Sequence, residues 1–154
     1  MREGLEVFRA TGAQTGVPLR LAALADAYRS MGQIDEGLML LAEAQALIHN
    51  SGECAAEAEV YRLRGELLLA RTVKHDAEAE TCFLQALNVA RQQQAKSWEL
   101  RAATSLARLW QHQDKRTEAH GLLAPIYGWF TEGFDTADLR EAKALLDTCG
   151  GGML

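Results

Sequence analysis

Glu36-Gly37-Leu38-Met39-Leu40-Leu41-Ala42-Glu43-Ala44, residues 36–44, is the stretch on which the fold turns. An acid is followed by a small residue, then by a large apolar residue at Leu41 and a small one at Ala44. The same spacing returns as Glu3-Gly4 with Phe8 and Thr11, as Glu78-Ala79 with Phe83 and Ala86, and as Glu118-Ala119 with Leu123 and Ile126. The small residues fall 33, 42 and 40 positions apart (4 to 37, 37 to 79, 79 to 119). A period of that size is the signature of a helical solenoid, in which each unit buries its apolar face only against its neighbours.

Composition agrees with helices. The chain has 154 residues, 48% of them hydrophobic, and only two prolines, Pro18 and Pro125. Good helix formers dominate and long β-branched runs are absent, so a sheet has little to build on. The length fits one domain over 1–149, followed by a flexible tail at 150–154. A net charge of -5 argues against a nucleic-acid partner, because phosphate contacts need clustered Lys and Arg. Cys54, Cys82 and Cys149 are far apart and form no CxxC, as expected of reduced thiols in a cytoplasmic protein. No apolar run approaches the roughly 20 residues that span a bilayer. Met1-Arg2-Glu3-Gly4 lacks the apolar core of a signal peptide. No membrane association is expected.

The apolar period predicts about eight helices, over roughly 2–12, 18–31, 35–48, 53–71, 77–93, 96–113, 116–130 and 137–148. Pro18 suits a first helical turn and Gly32 a helix end. Asp76 is a plausible N-cap. Pro125 lies inside the seventh pattern, where it is expected to kink the helix or move its start. The short connections predict consecutive antiparallel pairs. The acid that opens each motif (Glu3, Glu36, Glu78, Glu118) reads as a helix N-terminal charge complementing the dipole.

The first helix of each pair has a recurring core of its own. Leu24-Ala25-x-x-Tyr28 and Leu106-Ala107-x-x-Trp110 share a leucine-small-x-x-aromatic form, and Gly65-x-x-Leu68 is a weaker version. Together with the Glu-small motif this resembles the tetratricopeptide repeat, a helix-turn-helix unit of about 34 residues. Asp114 stands in the third unit where Gly32 stands in the first, and spacings of 40 and 42 mean longer helices. The resemblance implies an all-α, right-handed α-α superhelix whose small residues let paired helices approach closely. A second resemblance covers most of the chain. Residues 62–70 (RLRGELLLA), 99–110 (ELRAATSLARLW) and 127–139 (YGWFTEGFDTADL) look like the C-terminal region of large bacterial signalling proteins. Those carry a class III nucleotide cyclase or winged-helix DNA-binding domain, then a predicted P-loop ATPase, then tetratricopeptide-like repeats. The likeness implies a sensor or scaffold region in signalling. It carries over neither activity, since this chain has no GxxxxGK[ST] loop.

Chemistry-bearing clusters are sparse. His49, His75, His112 and His120 pair with no His or Cys at helical spacing, so neither a metal nor a cofactor is expected, nor any catalytic residue. Cys82 beside Phe83 reads as a small core hydrophobe. Trp98, Trp110 and Trp129 read as core or inter-helix packing, with a hydrophobic partner pocket as the alternative. The candidate site is the inner groove lined by the first helices of the pairs. Aligning the units places Arg29, Arg62, Glu66, Arg101, Arg108 and His112 near it. Arginine holds a carboxylate with two parallel hydrogen bonds, so the groove fits an acidic peptide or a chain terminus. The competing reading pairs these arginines with Glu57, Glu59, Glu66 or Glu99 on neighbouring turns. The expected function is therefore non-catalytic protein–protein interaction at the concave face. Two alternatives remain. One is a homodimer through Leu5 and Phe8, on a first helix whose pairing partner would come from a second copy. The other is a sensor that takes a small peptide or metabolite in the groove.

Overall fold

The computed structural model describes residues 16–71 and 75–151. Among them are seven helices and no strands: α1 (Val17–Ser30), α2 (Ile34–Ser51), α3 (Glu57–Arg71), α4 (Asp76–Gln92), α5 (Lys96–His112), α6 (Arg116–Trp129) and α7 (Ala137–Gly151). The expected first helix, and with it Leu5 and Phe8, lies outside the described residues.

The motif that announced the repeat is buried wherever it is described. Gly37, Ala79 and Ala119 are buried, as are Leu41, Phe83 and Leu123 four residues on and Ala44, Ala86 and Ile126 beyond them. The acids before them, Glu36, Glu78 and Glu118, sit exposed in the first turns of α2, α4 and α6. The small residues serve close crossings. A Cβ on Gly37 would stand 3.2 Å from the Ala25 carbonyl oxygen on α1, and one on Gly65 of α3 would stand 2.5 Å from Phe83 of α4. Each fully buried leucine or phenylalanine on these faces contributes about 1.5–3 kcal/mol over leaving it in water.

Three tight turns share one geometry. Gly32, Gln94 and Asp114 all have positive φ, at 77°, 54° and 61°. The Gly32 amide donates to the Arg29 carbonyl and the next amide reaches back to Tyr28; the amides of Gln94 and Ala95, and of Asp114 and Lys115, repeat the pattern. This is the Schellman ending, which closes the last carbonyls of a helix and reverses the chain in three residues.

Sequential helices pack on one another along the whole array. In addition α1 packs on α3, α3 on α5 and α5 on α7, whereas α2, α4 and α6 make no such contact among the described residues. The odd-numbered helices thus form one continuous layer, and the even-numbered ones stand behind it.

Three details depart from the sequence reading. Asp76 does not cap α4; His75 holds the N-cap position without a side-chain hydrogen bond, and Asp76 lies in the first turn. The tail expected at 150–154 begins inside a helix: α7 continues to Gly151, and Cys149 in its last turns is buried in a cluster that α7 shares with α4, α5 and α6. Pro125 neither shifts the start of α6 nor ends it. It is exposed, and the residue one turn before it is Gly121, around which a Cβ would meet nothing within 4 Å. No described helix is long and apolar enough to cross a membrane.

Candidate partner groove

Each odd-numbered helix turns a polar stripe to the same side. Asp26 and Arg29 lie three apart on α1, and Glu59, Arg62 and Glu66 lie at steps of three and four on α3. Arg101, Thr104, Ser105 and Arg108 follow on α5, and Asp138 and Glu141 on α7. Steps of three and four put residues on one helix face. Because the four helices pack side by side, the stripes meet and, with Glu59 buried beneath them, line a cavity of ≈ 240 Å³.

The charges in it are knitted together. Glu59, only 5% exposed, accepts two parallel hydrogen bonds from Arg62, Nε to Oε2 at 2.9 Å and Nη2 to Oε1 at 2.6 Å. Arg101 on the next helix reaches the same carboxylate at 3.1 Å, and also faces Asp138 at 3.6 Å. Arg62 donates to the Ser105 hydroxyl at 3.3 Å and lies 3.8 Å from Glu66. Arg108 contacts Glu66 at 3.4 Å and is hydrogen-bonded to Glu141 on α7. Arg29 pairs with Asp26 on its own helix at 2.7 Å. Burial works to strip the proton from Arg62, but the hydrogen bonds and charge of Glu59, with the charges of Glu66 and Asp26, outweigh it and raise its pKa. A guanidinium so placed is a permanent positive charge.

Of the six groove residues read from the sequence, Arg29, Arg62, Glu66, Arg101 and Arg108 line this one cavity. His112 is exposed and borders an adjacent pocket of ≈ 360 Å³ that shares Glu66, Ser105 and Arg108 with it. The competing internal pairing is also present, through Glu59 and Glu66. Glu57 makes no such pair among the described residues, and Glu99 is held instead by Arg91 and Lys96 at 3.0 and 3.2 Å. Sequence reasoning missed Asp26, Asp138 and Glu141. A signal for Asp26 existed: it follows Ala25 as Glu66 follows Gly65 and Arg108 follows Ala107. Asp138 and Glu141 carried none, because α7 lacks the repeat motif by which the other units align.

Trp129, which reads as core in the sequence, is 57% exposed. It is the last residue of α6, opposite the first residue of α5, so no further turn exists to cover it. Its ring packs edge-on to Phe130, and the Lys96 ammonium sits 5.4 Å from its centroid. Trp98 and Trp110 are partly buried, and the Trp110 indole donates to Glu80 at 3.1 Å.

Nothing among the described residues gathers three or more His, Cys, Asp or Glu side chains in a way that could hold a metal ion. Burial raises the pKa of the Cys82 and Cys149 thiols. Both are therefore held in the unreactive neutral form, since the thiolate is the nucleophile. No protein-family model matches the chain, and a search of curated proteins finds no match either.

Proposed function

We propose that this protein is a non-catalytic partner-binding module of tetratricopeptide-like build, serving as a scaffold in bacterial signalling. Its binding face is the layer formed by α1, α3, α5 and α7. The observation that carries this reading is the cavity on that layer, to which four helices from separate units each contribute charged side chains. A helix face turned to water is polar in any case, so it is the fixed geometry that counts. Here the layer spends its inner side on hydrogen-bonding groups held in fixed geometry, the preorganisation that lowers the cost of binding. The cavity is of side-chain size, smaller than the roughly 300–1,000 Å³ of a typical small-molecule site. That favours a partner's side chains as the occupant over a cofactor or drug-sized metabolite.

The test is a selection of random displayed peptides on the purified protein, followed by mapping of the winners by amide chemical shifts. Shifts should concentrate on the inner stripes of α1, α3, α5 and α7. Winners that map to α2, α4 or α6, or a selection that yields none, refute the reading.

A further inference from the structure

Away from the inner face, the end of α6 meets the turn between α4 and α5 across an open cleft of ≈ 750 Å³. That lies within the roughly 300–1,000 Å³ of small-molecule sites, which join apolar walls to a few polar groups. The aromatic wall here is Trp129 and Phe130, set edge to face with ring centroids 5.2 Å apart. More than half of Trp129 nevertheless stands in water. Beside it, Arg91 and Lys96 share a single carboxylate, that of Glu99. The Glu99 side chain is 7% exposed, whereas those of Arg91 and Lys96 are 52% and 39% exposed. The acid is thus the floor, and the two cations above it leave the cleft with one positive charge in excess. That surplus stands out in a chain whose net charge is -5. Arg91 meets Glu99 through Nε, at 3.0 Å, and its two terminal nitrogens have no acceptor among the described residues. Those two nitrogens form the fork that grips a carboxylate with parallel hydrogen bonds.

We propose that this cleft binds a small aromatic carboxylic acid, its ring against the Trp129 indole and its carboxylate between Arg91 and Lys96. The Lys96 ammonium sets the spacing, at 3.2 Å from Glu99 and 5.4 Å from the Trp129 ring centroid. An anion held by the cations therefore brings its own ring to the indole. The anion offsets the surplus charge without displacing Glu99, because the Arg91 fork is open to receive it. The ring covers apolar surface left in water, and paired aromatic rings contribute beyond the area they bury. Gln94 and Ser97 also line the cleft, and their side chains have no partner among the described residues. They supply hydrogen bonds for a further polar group on the ligand. The cleft shares no lining residue with the inner-face cavity, so the proposal stands apart from the partner-binding reading.

The experiment is a two-dimensional NMR titration of the isotope-labelled protein, followed at the tryptophan indole N–H signals and the backbone amides. Trp129→Ala identifies the Trp129 signal. Phenylacetate is the probe; phenylacetamide keeps the ring without the charge, and cyclohexylacetate keeps the charge without the aromatic ring. Phenylacetate at millimolar concentration should move the Trp129 signal and the amides of Arg91 and Lys96. Each control compound should bind about tenfold more weakly, for want of one charge-assisted or one ring contact. Arg91→Gln and Trp129→Ala should each weaken phenylacetate about tenfold, read at the Lys96 and Ser97 amides. Lys115→Gln removes a charge from the turn at the other end of α5 and should leave binding unchanged. Trp129 is exposed, so its variant keeps the test intact if Arg91→Gln fails to fold. Either control compound binding as tightly as phenylacetate overturns the proposal. So do shifts confined to Trp98 or Trp110, a Trp129 signal that does not move, or equal losses in Lys115→Gln and Trp129→Ala.

Discussion

Replacing Gly65 by alanine tests whether the α3–α4 crossing is as close as it looks. The added Cβ would lie 2.5, 2.8 and 3.0 Å from three ring carbons of Phe83. Carbon atoms pack at about 3.5–4.0 Å, so the ring must withdraw by roughly 1 Å. Phe83 is fully buried among Leu68, Ala79, Leu106 and Leu109, so it has no free space to withdraw into. Overpacking of this kind costs about 1–3 kcal/mol. Against it stands the gain of about 1 kcal/mol when an interior helical glycine becomes alanine. A 2.5 Å contact puts the cost in the upper half of that range, so the expected net loss is about 1–2 kcal/mol, a fall in Tm of about 2–8 °C for a domain of this size. The assay is urea unfolding at constant m, read from the shift in midpoint. Gly65→Ala combined with Phe83→Leu should lose less than the sum of the two single changes, because the smaller side chain clears the new methyl. Gly37→Ala is the internal reference. Its Cβ would sit 3.1–3.2 Å from Leu67 methyls and the Ala25 carbonyl, a tight fit offset by the helix gain, so its stability should barely change. A Gly65→Ala protein as stable as the wild type, or an additive double mutant, refutes the close crossing.

Gly121 and Gly128 lie inside α6 with nothing within 4 Å of an added methyl, so alanine at each should raise stability by about 0.5–1 kcal/mol in the same unfolding assay. Gln94→Gly should also stabilise, by about 0.5–1 kcal/mol, by relieving a left-handed residue that glycine adopts freely; Asp114→Gly should gain less, because Asp tolerates that conformation better. A thiol-specific reagent should label exposed Cys54 at once, and Cys82 and Cys149 only on unfolding. Because burial raises the pKa of these two thiols in the folded state, they stay protonated there while the unfolded chain ionises. Their contribution is fully present below about pH 8.5 and is lost as pH rises through the folded values, so Tm should decline on the alkaline side, and less steeply in C82A/C149A.

The elements were legible because their period was strong and their punctuation was chemical. Leu21, Leu24, Ala25 and Tyr28 gave α1 its helical step, and Gly32 its end. The motif Glu36-Gly37-x-x-x-Leu41-x-x-Ala44 named residues that prove buried, since close helix pairs admit only small side chains at the crossing. What was hidden is what depends on distant packing. The end of α7 reads as three glycines, and nothing local says that Cys149 is buried and that the helix runs through two of them. Trp129 reads as core because large aromatics usually are, and nothing local says that the helix opposite begins at Lys96 and leaves the indole uncovered. The proline in α6 reads as a kink or a displaced start because the sequence does not show that it faces solvent.

The site was half legible for a more specific reason. Repeats put equivalent residues side by side, so a charge at one register meets the charge at the same register of the next unit. Glu59 and Arg101 share a register six residues before Gly65 and Ala107, and they touch at 3.1 Å. Glu66 and Arg108 share the register just after those residues, and they touch at 3.4 Å. Asp26 has that register in the first unit and acts on Arg62 through its charge. Opposite charges at matched registers hold neighbouring units in line without needing any pair to be strong. Partly buried pairs of this kind add little net stability but penalise a slip that leaves a buried charge unmatched. On α7 the alternation goes on without the repeat motif: Asp138 faces Arg101 and Glu141 faces Arg108, so each of these arginines lies between carboxylates of the helices on either side.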